Sequence, residues 1–114
     1  MVVDTLTEPE LDRIFQALAD ATRRDIFRRV LHAGQSVSTL ARDYDMSFAA
    51  IQKHVSVLER ATLVTKLKHG REQIVTGNVP TLRNASSLLD AFEEIWIHRA
   101  TQIADILGEE GRAL

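Results

Sequence analysis

The chain has 114 residues, a formal net charge of -2, 45% hydrophobic and 26% charged residues, and no cysteine. That length fits one domain with one modest core, and the composition excludes a disordered tail. The missing thiols exclude disulfides, thiolate nucleophiles and thiolate metal sites together.

No stretch approaches the roughly 20 apolar residues that span a bilayer. The opening "MVVDTLTEPE" has neither the basic nor the apolar segment of a secretion signal, so a cytoplasmic location is the default expectation. The charge is unevenly spread: residues 1–20 carry -4, 21–46 carry +2, 47–76 carry +3 and 80–114 carry -3. A basic middle between acidic ends allows a local patch for an anionic partner without a basic protein.

In chain order, "EPELDRIFQALA" sets Leu11, Ile14, Phe15 and Leu18 on one helical face, with Pro9 and Glu10 suited to a first turn. Asp20 is the expected N-cap of "ATRRDIFRRVLHA", which should end at Gly34. In that helix Ile26, Val30 and Leu31 form the expected buried line, and Arg23, Arg24, Arg28 and Arg29 a solvated face. Ser36 then caps a short helix, "VSTLARDY", with Leu40 and Ala41 inward. Asp45 falls where a tight turn is needed, since Asp tolerates the left-handed region better than most residues.

Ser47 caps the next helix. In "DMSFAAIQKHVSVLERATLV", Ile51, Val55 and Leu58 recur at helical spacing, and Ala49, Lys53, Ser56 and Arg60 lie opposite. Val57 falls away from the buried stripe with no assigned contact. From Leu63 the pattern alternates: "LVTKLK" and "EQIVT" flank "HGR", a tight hairpin, and Pro80 closes the strand region.

A long helix is expected from about Thr81 to Leu107. Its Leu88, Leu89, Phe92, Ile95, Trp96, Ile103, Ile106 and Leu107 cover an arc of roughly 140°, wider than the usual ~100° stripe. At ~1.5 Å per residue it is about 40 Å long, which exceeds the width of a compact domain of this size. A second copy of the chain is the simplest cover, with Leu11, Ile14, Phe15, Leu18 and Arg99 in the same interface. The fold expected is therefore mainly α with a small β-hairpin. It is one winged helix-turn-helix domain over 1–114, with the helix-turn-helix at about 36–60, the wing at about 63–76 and a C-terminal dimerisation helix.

The words "LADATRRDIF", "VSTLARDYDMS", "IQKHVSVLERATLV" and "FEEIW", in this order, resemble the ArsR/SmtB group of bacterial winged helix-turn-helix regulators over about Leu11 to Leu107. The resemblance implies a homodimeric repressor, paired through its first and last helices, that binds a short operator, often its own promoter. Asp45 and Thr62 stand where the family pattern has Gly, and Phe48 and Gln52 where it often has Gln and Ser. The family's metal-sensing members place a cysteine pair where this chain has "STLARDYD", and others use acidic residues and histidines on the last helix, which here offers only His98. No metal site and no cofactor are expected. A non-metal signal could be a small apolar ligand between the dimer helices, pH, a partner, or none at all.

The chemistry of the helix start supports DNA. Small Ser47, Ala49 and Ala50 let an N-terminal turn approach base edges, and the helix dipole favours phosphate. Gln52 suits adenine, and Lys53 suits guanine or phosphate. Ser56 extends that polar face. Phe48 could staple the helix or meet a thymine methyl, with packing the favoured expectation, and His54 could bond either within the fold or to phosphate.

In the wing, Lys66, Lys68, His69 and Arg71 cluster with one acid, Glu72. An exposed hairpin also carries charge to discourage edge pairing; beside a helix-turn-helix, contact with phosphates or the minor groove is the better reading. No nucleophile elbow, phosphate loop or metal pair supports an enzyme. The alternative function is a winged-helix interaction or dimerisation module without DNA, which a salt-sensitive shift on promoter DNA would distinguish. An RNA-binding winged helix lacks stacking aromatics, Phe48 being the sole candidate.

Overall fold

Thr7 opens the first helix through a reciprocal cap. Its Oγ1 accepts from the Glu10 backbone N–H at 3.3 Å, and its own N–H donates to Glu10 Oε1 at 3.0 Å. The computed structural model describes residues 6–113, with side chains described to residue 108. Part of the stretch read above for a secretion signal, residues 1–5, lies outside them. The elements are α1 (Glu8–Leu18), α2 (Ala21–His32), β1 (Gln35–Ser36), α3 (Val37–Asp43), α4 (Phe48–Arg60), β2 (Val64–His69), β3 (Glu72–Gly77) and α5 (Val79–Ala113).

The three expected caps hold. Asp20, Ser36 and Ser47 accept from the N–H groups of Arg23, Thr39 and Ala50 at 2.9, 3.0 and 3.1 Å. Between α3 and α4 the chain reverses through Asp45, whose φ is 52°, and it leaves α4 through Thr62 at φ 58°. Both are the positions where Gly was expected. A β-branched residue is strained there, and Thr62 is held by its neighbours: Asn78 Nδ2 donates to its carbonyl at 2.9 Å and Thr81 Oγ1 donates to its hydroxyl at 3.3 Å.

One core serves all the elements. Ile26 from α2, Leu40 from α3, Ile51, Val55 and Leu58 from α4, and Leu63, Val64 and Val75 around the sheet are each at most 1% exposed. Truncating one of them, for example Leu58→Ala, should cost about 2–5 kcal/mol.

Several expectations need correction. The wing is not a lone hairpin: β1 pairs with β3, giving a three-stranded antiparallel sheet in the order β1-β3-β2. Helix α2 ends at His32, not Gly34. Gly34 is there for close approach, since a Cβ would stand 3.0 Å from the Ile74 side chain and 3.2 Å from that of Thr76. Leu31 is 37% exposed and Phe27 takes its place in the buried line.

The α2 arginines are not a merely solvated face. Arg23 and Arg24 donate to the carbonyls of Gln16, Ala17 and Leu18 in the last turn of α1, where the Ala19 N–H reaches only that of Gln16 among the three. Arg29 pairs with Asp43 at 2.7 Å and lies 5.2 Å from the centre of the Tyr44 ring, whose hydroxyl bonds Asp25. Burial and that carboxylate push the Tyr44 phenol up to about 12.

The last helix begins at Val79, so Pro80 lies in its first turn, where no backbone donor is needed, and does not close the strands. It spans 35 residues, and the molecule measures 75 × 37 × 23 Å, so α5 projects far beyond the core.

Candidate nucleic-acid interface

Burial of Ile51, Val55 and Leu58 fixes the rotation of α4, and every other α4 side chain follows from it. Ala49, Lys53 and Arg60 are exposed and Ser56 half-buried, on the face away from the core. The flank toward the wing carries Phe48, Gln52 and Glu59. The opposite flank carries His54 and Val57.

Four assignments sharpen on this frame. Ser47 caps the helix with its oxygen, which leaves its O–H proton to donate outward. Phe48 is 50% exposed and so is not packed as expected; it lines a cleft of about 330 Å³ with Val37, Ser38, Gln52, Arg71 and Gln73. His54 turns inward, with Nδ1 4.0 Å from Oδ2 of Asp20, the N-cap of α2. The Arg23 backbone N–H at that cap, more than any charge, holds the Asp20 carboxyl below the usual range. Val57 packs against the core and borders a concavity formed by Arg13, Gln16, Arg23 and Arg60.

The wing alternates. Val64 is buried, so Lys66 and Lys68 share its face toward α4, while Thr65, Leu67 and His69 point the other way. The strands turn at Gly70 and Arg71, with His69 opposite Glu72. Gly70 has φ 64°, and Arg71 is not among the positive-φ residues, the order that suits a tight hairpin. Lys66 is not free: its Nζ lies 3.4 Å from Glu59 Oε1. Lys68, His69 and Arg71 make no ion pair among the described residues and remain available at the tip.

Sequence reasoning missed Gln73, whose Oε1 accepts from Gln52 Nε2 at 3.0 Å. The two are 21 residues apart, and no local pattern signals the contact. The surface thus combines a small-residue helix start, an amide and a lysine on α4 with a basic hairpin tip beside them. Such a surface suits a groove flanked by phosphates.

The face assigned to a second chain is equally specific. On α5, Leu89, Phe92, Ile95, Trp96, Ile103, Ile106 and Leu107 are 45–67% exposed, and Ile97, unassigned from sequence, is 53% exposed. Leu88 and Leu11 are half-buried, and Phe15 is 39% exposed. Ile14 is 1% exposed and belongs to the core of its own chain, which corrects its assignment to an interface; Leu18 packs against that same core. Arg99, Gln102, Ile103, Asp105 and Ile106 line a shallow concavity on the helix. No helix is long and apolar enough to cross a membrane among the described residues.

Residues 18–66 match a family described as a helix-turn-helix domain. The HTH-type transcriptional regulator Rv2034 of Mycobacterium tuberculosis is 36% identical over 100 residues, which cover 88% of this chain and 91% of that protein. An ArsR-like transcriptional regulator from Rhodococcus sp. RHA1 has a similar structure at 34% identity. Its TM-score is 0.75, covering 86% of this chain and 92% of that one. A homodimeric winged helix-turn-helix DNA-binding domain from Mycobacterium bovis superposes with TM-score 0.63 over 82% of this chain and 92% of its own. At 17% identity that likeness is one of fold alone.

Proposed function

Because the chain belongs to the ArsR family of winged helix-turn-helix transcriptional regulators, which are DNA-binding proteins and not enzymes, we propose that it acts as a homodimeric repressor on a palindromic operator, with its own promoter as the candidate site. The observation that carries this reading is the orientation of α4. Its core stripe leaves Ala49, Gln52, Lys53 and Ser56 outward, directly beside the wing.

In the complex, the start of α4 enters the major groove. Gln52 meets an adenine edge and Lys53 a guanine or a phosphate. Phe48 offers an apolar edge to a thymine methyl, and the Ser47 hydroxyl donates to phosphate. Lys68, His69 and Arg71 follow the backbone or the minor groove and set the register. His54 is withdrawn from this set by its contact with Asp20, and Lys66 by its ion pair with Glu59.

A second copy covers the α5 face, so two reading helices present themselves with two-fold symmetry. Their half-sites should lie about 10–11 bp apart or slightly more. A dimer seated across a promoter excludes other proteins from that stretch of duplex, which is repression by occupancy. Footprinting of the region upstream of the protein's own gene tests the reading. A protected imperfect palindrome is expected; protection without two-fold symmetry, or none at any salt, contradicts it.

A further inference from the structure

Gln73 lies on β3 two residues from Val75, whose side chain is buried, so it faces the helix-turn-helix. There its Oε1 receives the hydrogen bond from Gln52 Nε2 at 3.0 Å. Seven residues further along α4, on the same flank, Glu59 meets Lys66 at 3.4 Å. Lys66 stands opposite Val75 and Lys68 opposite Gln73, so the inner face of the wing touches one flank of α4 at two points, two turns apart.

This matters because an amide reads a base only in one orientation. To recognise adenine, a glutamine carbonyl accepts from N6–H and its nitrogen donates to N7. The last torsion of a glutamine side chain is broad, so an unheld amide spends much of its time with the wrong atom forward. Nε2 carries two N–H groups. With one of them held by the Gln73 carbonyl, the Gln52 amide is fixed in position and plane, and in this arrangement Oε1 and the second N–H stay free for a base.

We propose that Gln73 is a positioning residue that orients the Gln52 amide and so tunes base specificity from the wing. The inference rests on reading Gln52 as a base contact, and it adds a specificity determinant outside the helix that enters the groove. Orientation established before binding does not have to be imposed during it, so the gain appears as affinity for the correct base.

The test compares full-length wild type, Gln73→Ala, Gln73→Glu, Gln52→Ala and the Gln52→Ala/Gln73→Ala double variant. Each is measured on the footprinted operator and on random DNA of equal length, and read as the ratio of the two affinities. Gln73→Ala should lower the ratio about two- to tenfold, the scale of one hydrogen bond. In the Gln52→Ala background the same change should do nothing more. Gln73→Glu keeps the acceptor and adds a negative charge, so it should weaken binding to both DNAs and preserve the ratio.

An unchanged ratio in Gln73→Ala, while Gln52→Ala lowers it, overturns the proposal and spares the reading of Gln52. Additive losses in the double variant, or a ratio lost equally in Gln73→Glu, also overturn it, because Gln73 would then act independently of the amide. An unchanged ratio in Gln52→Ala overturns both. Gln73 is exposed, and circular dichroism of each variant should match wild type.

Discussion

Lys66 Nζ lies 3.4 Å from Glu59 Oε1, so one cation of the wing is tied to α4 by an ion pair. Removing the acid should release Lys66 toward phosphate. Glu59→Gln is expected to tighten binding to any DNA at low salt and to steepen the salt dependence by about one counterion per chain. Stability should move by less than about 1 kcal/mol, since the pair is partly exposed. Weaker binding by Glu59→Gln in a salt titration would show that the pair holds the wing in place for DNA.

The turn between α3 and α4 predicts a stabilising change. Asp45 has φ 52°, is exposed, and has no side-chain hydrogen bond among the described residues. Asp45→Gly should gain about 0.5–1 kcal/mol in urea unfolding, because Gly carries no Cβ penalty in this region. Asp45→Val should lose about 1–2 kcal/mol. Equal stabilities for the two variants would mean the turn relaxes away from the left-handed region. Thr62→Gly should gain less than Asp45→Gly, since it also removes the hydroxyl that Thr81 bonds.

How legible such details are from sequence depends on their range. The caps at Asp20, Ser36 and Ser47, the turn residues Asp45 and Thr62 and the core stripe of α4 are set within a few residues, and their chemistry can be read locally. The strand Gln35–Ser36 is too short to show alternation, and its partner lies 40 residues on. The roles of Arg23, Arg24 and Arg29 depend on which carbonyls and carboxylates the fold delivers to them. Helical periodicity found the apolar face of α1. It could not say that Ile14 meets its own core while Phe15 stays open. For the same reason Gln73 was invisible: only the packing of the wing on α4 brings it to Gln52.

Trp96 and Phe92 are 66% and 58% exposed within the single chain, so their truncation should leave that chain folded and weaken pairing. Trp96→Ala or Phe92→Ala should cost about 3–5 kcal/mol of association if each is packed at a dimer interface. Light scattering at micromolar concentration should then report a monomer where wild type is a dimer. A monomeric wild type at that concentration would contradict pairing through α5.

Three groups contribute to how stability changes with pH at the acid and alkaline ends. The Arg29 guanidinium holds the Asp43 carboxyl below its ordinary range, and the Arg23 backbone N–H does the same for Asp20. Their contribution is present above the unfolded value, near ~4, and is lost as pH falls through the lower folded values. Tyr44 runs the other way. Its folded value is pushed up to about 12 from 10.0, so the folded state keeps a proton the unfolded state loses. Stability should fade from pH 10 toward 12, and Tyr44→Phe should abolish that alkaline loss specifically. Urea midpoints across pH, with and without Tyr44, check both limbs.

If α4 reads bases and the wing reads backbone, Gln52→Ala and Arg71→Ala should part company when binding to operator and to random DNA is measured across salt. If each chain contacts about three phosphates, wild-type affinity for the operator should fall roughly a thousandfold between about 50 and 200 mM salt. Gln52→Ala should lose about 1–3 kcal/mol on the operator and little on random DNA, with the salt slope intact. Arg71→Ala should weaken both DNAs alike and flatten the slope by about one per chain. Equal losses by the two variants on both sequences would contradict the division of roles between α4 and the wing.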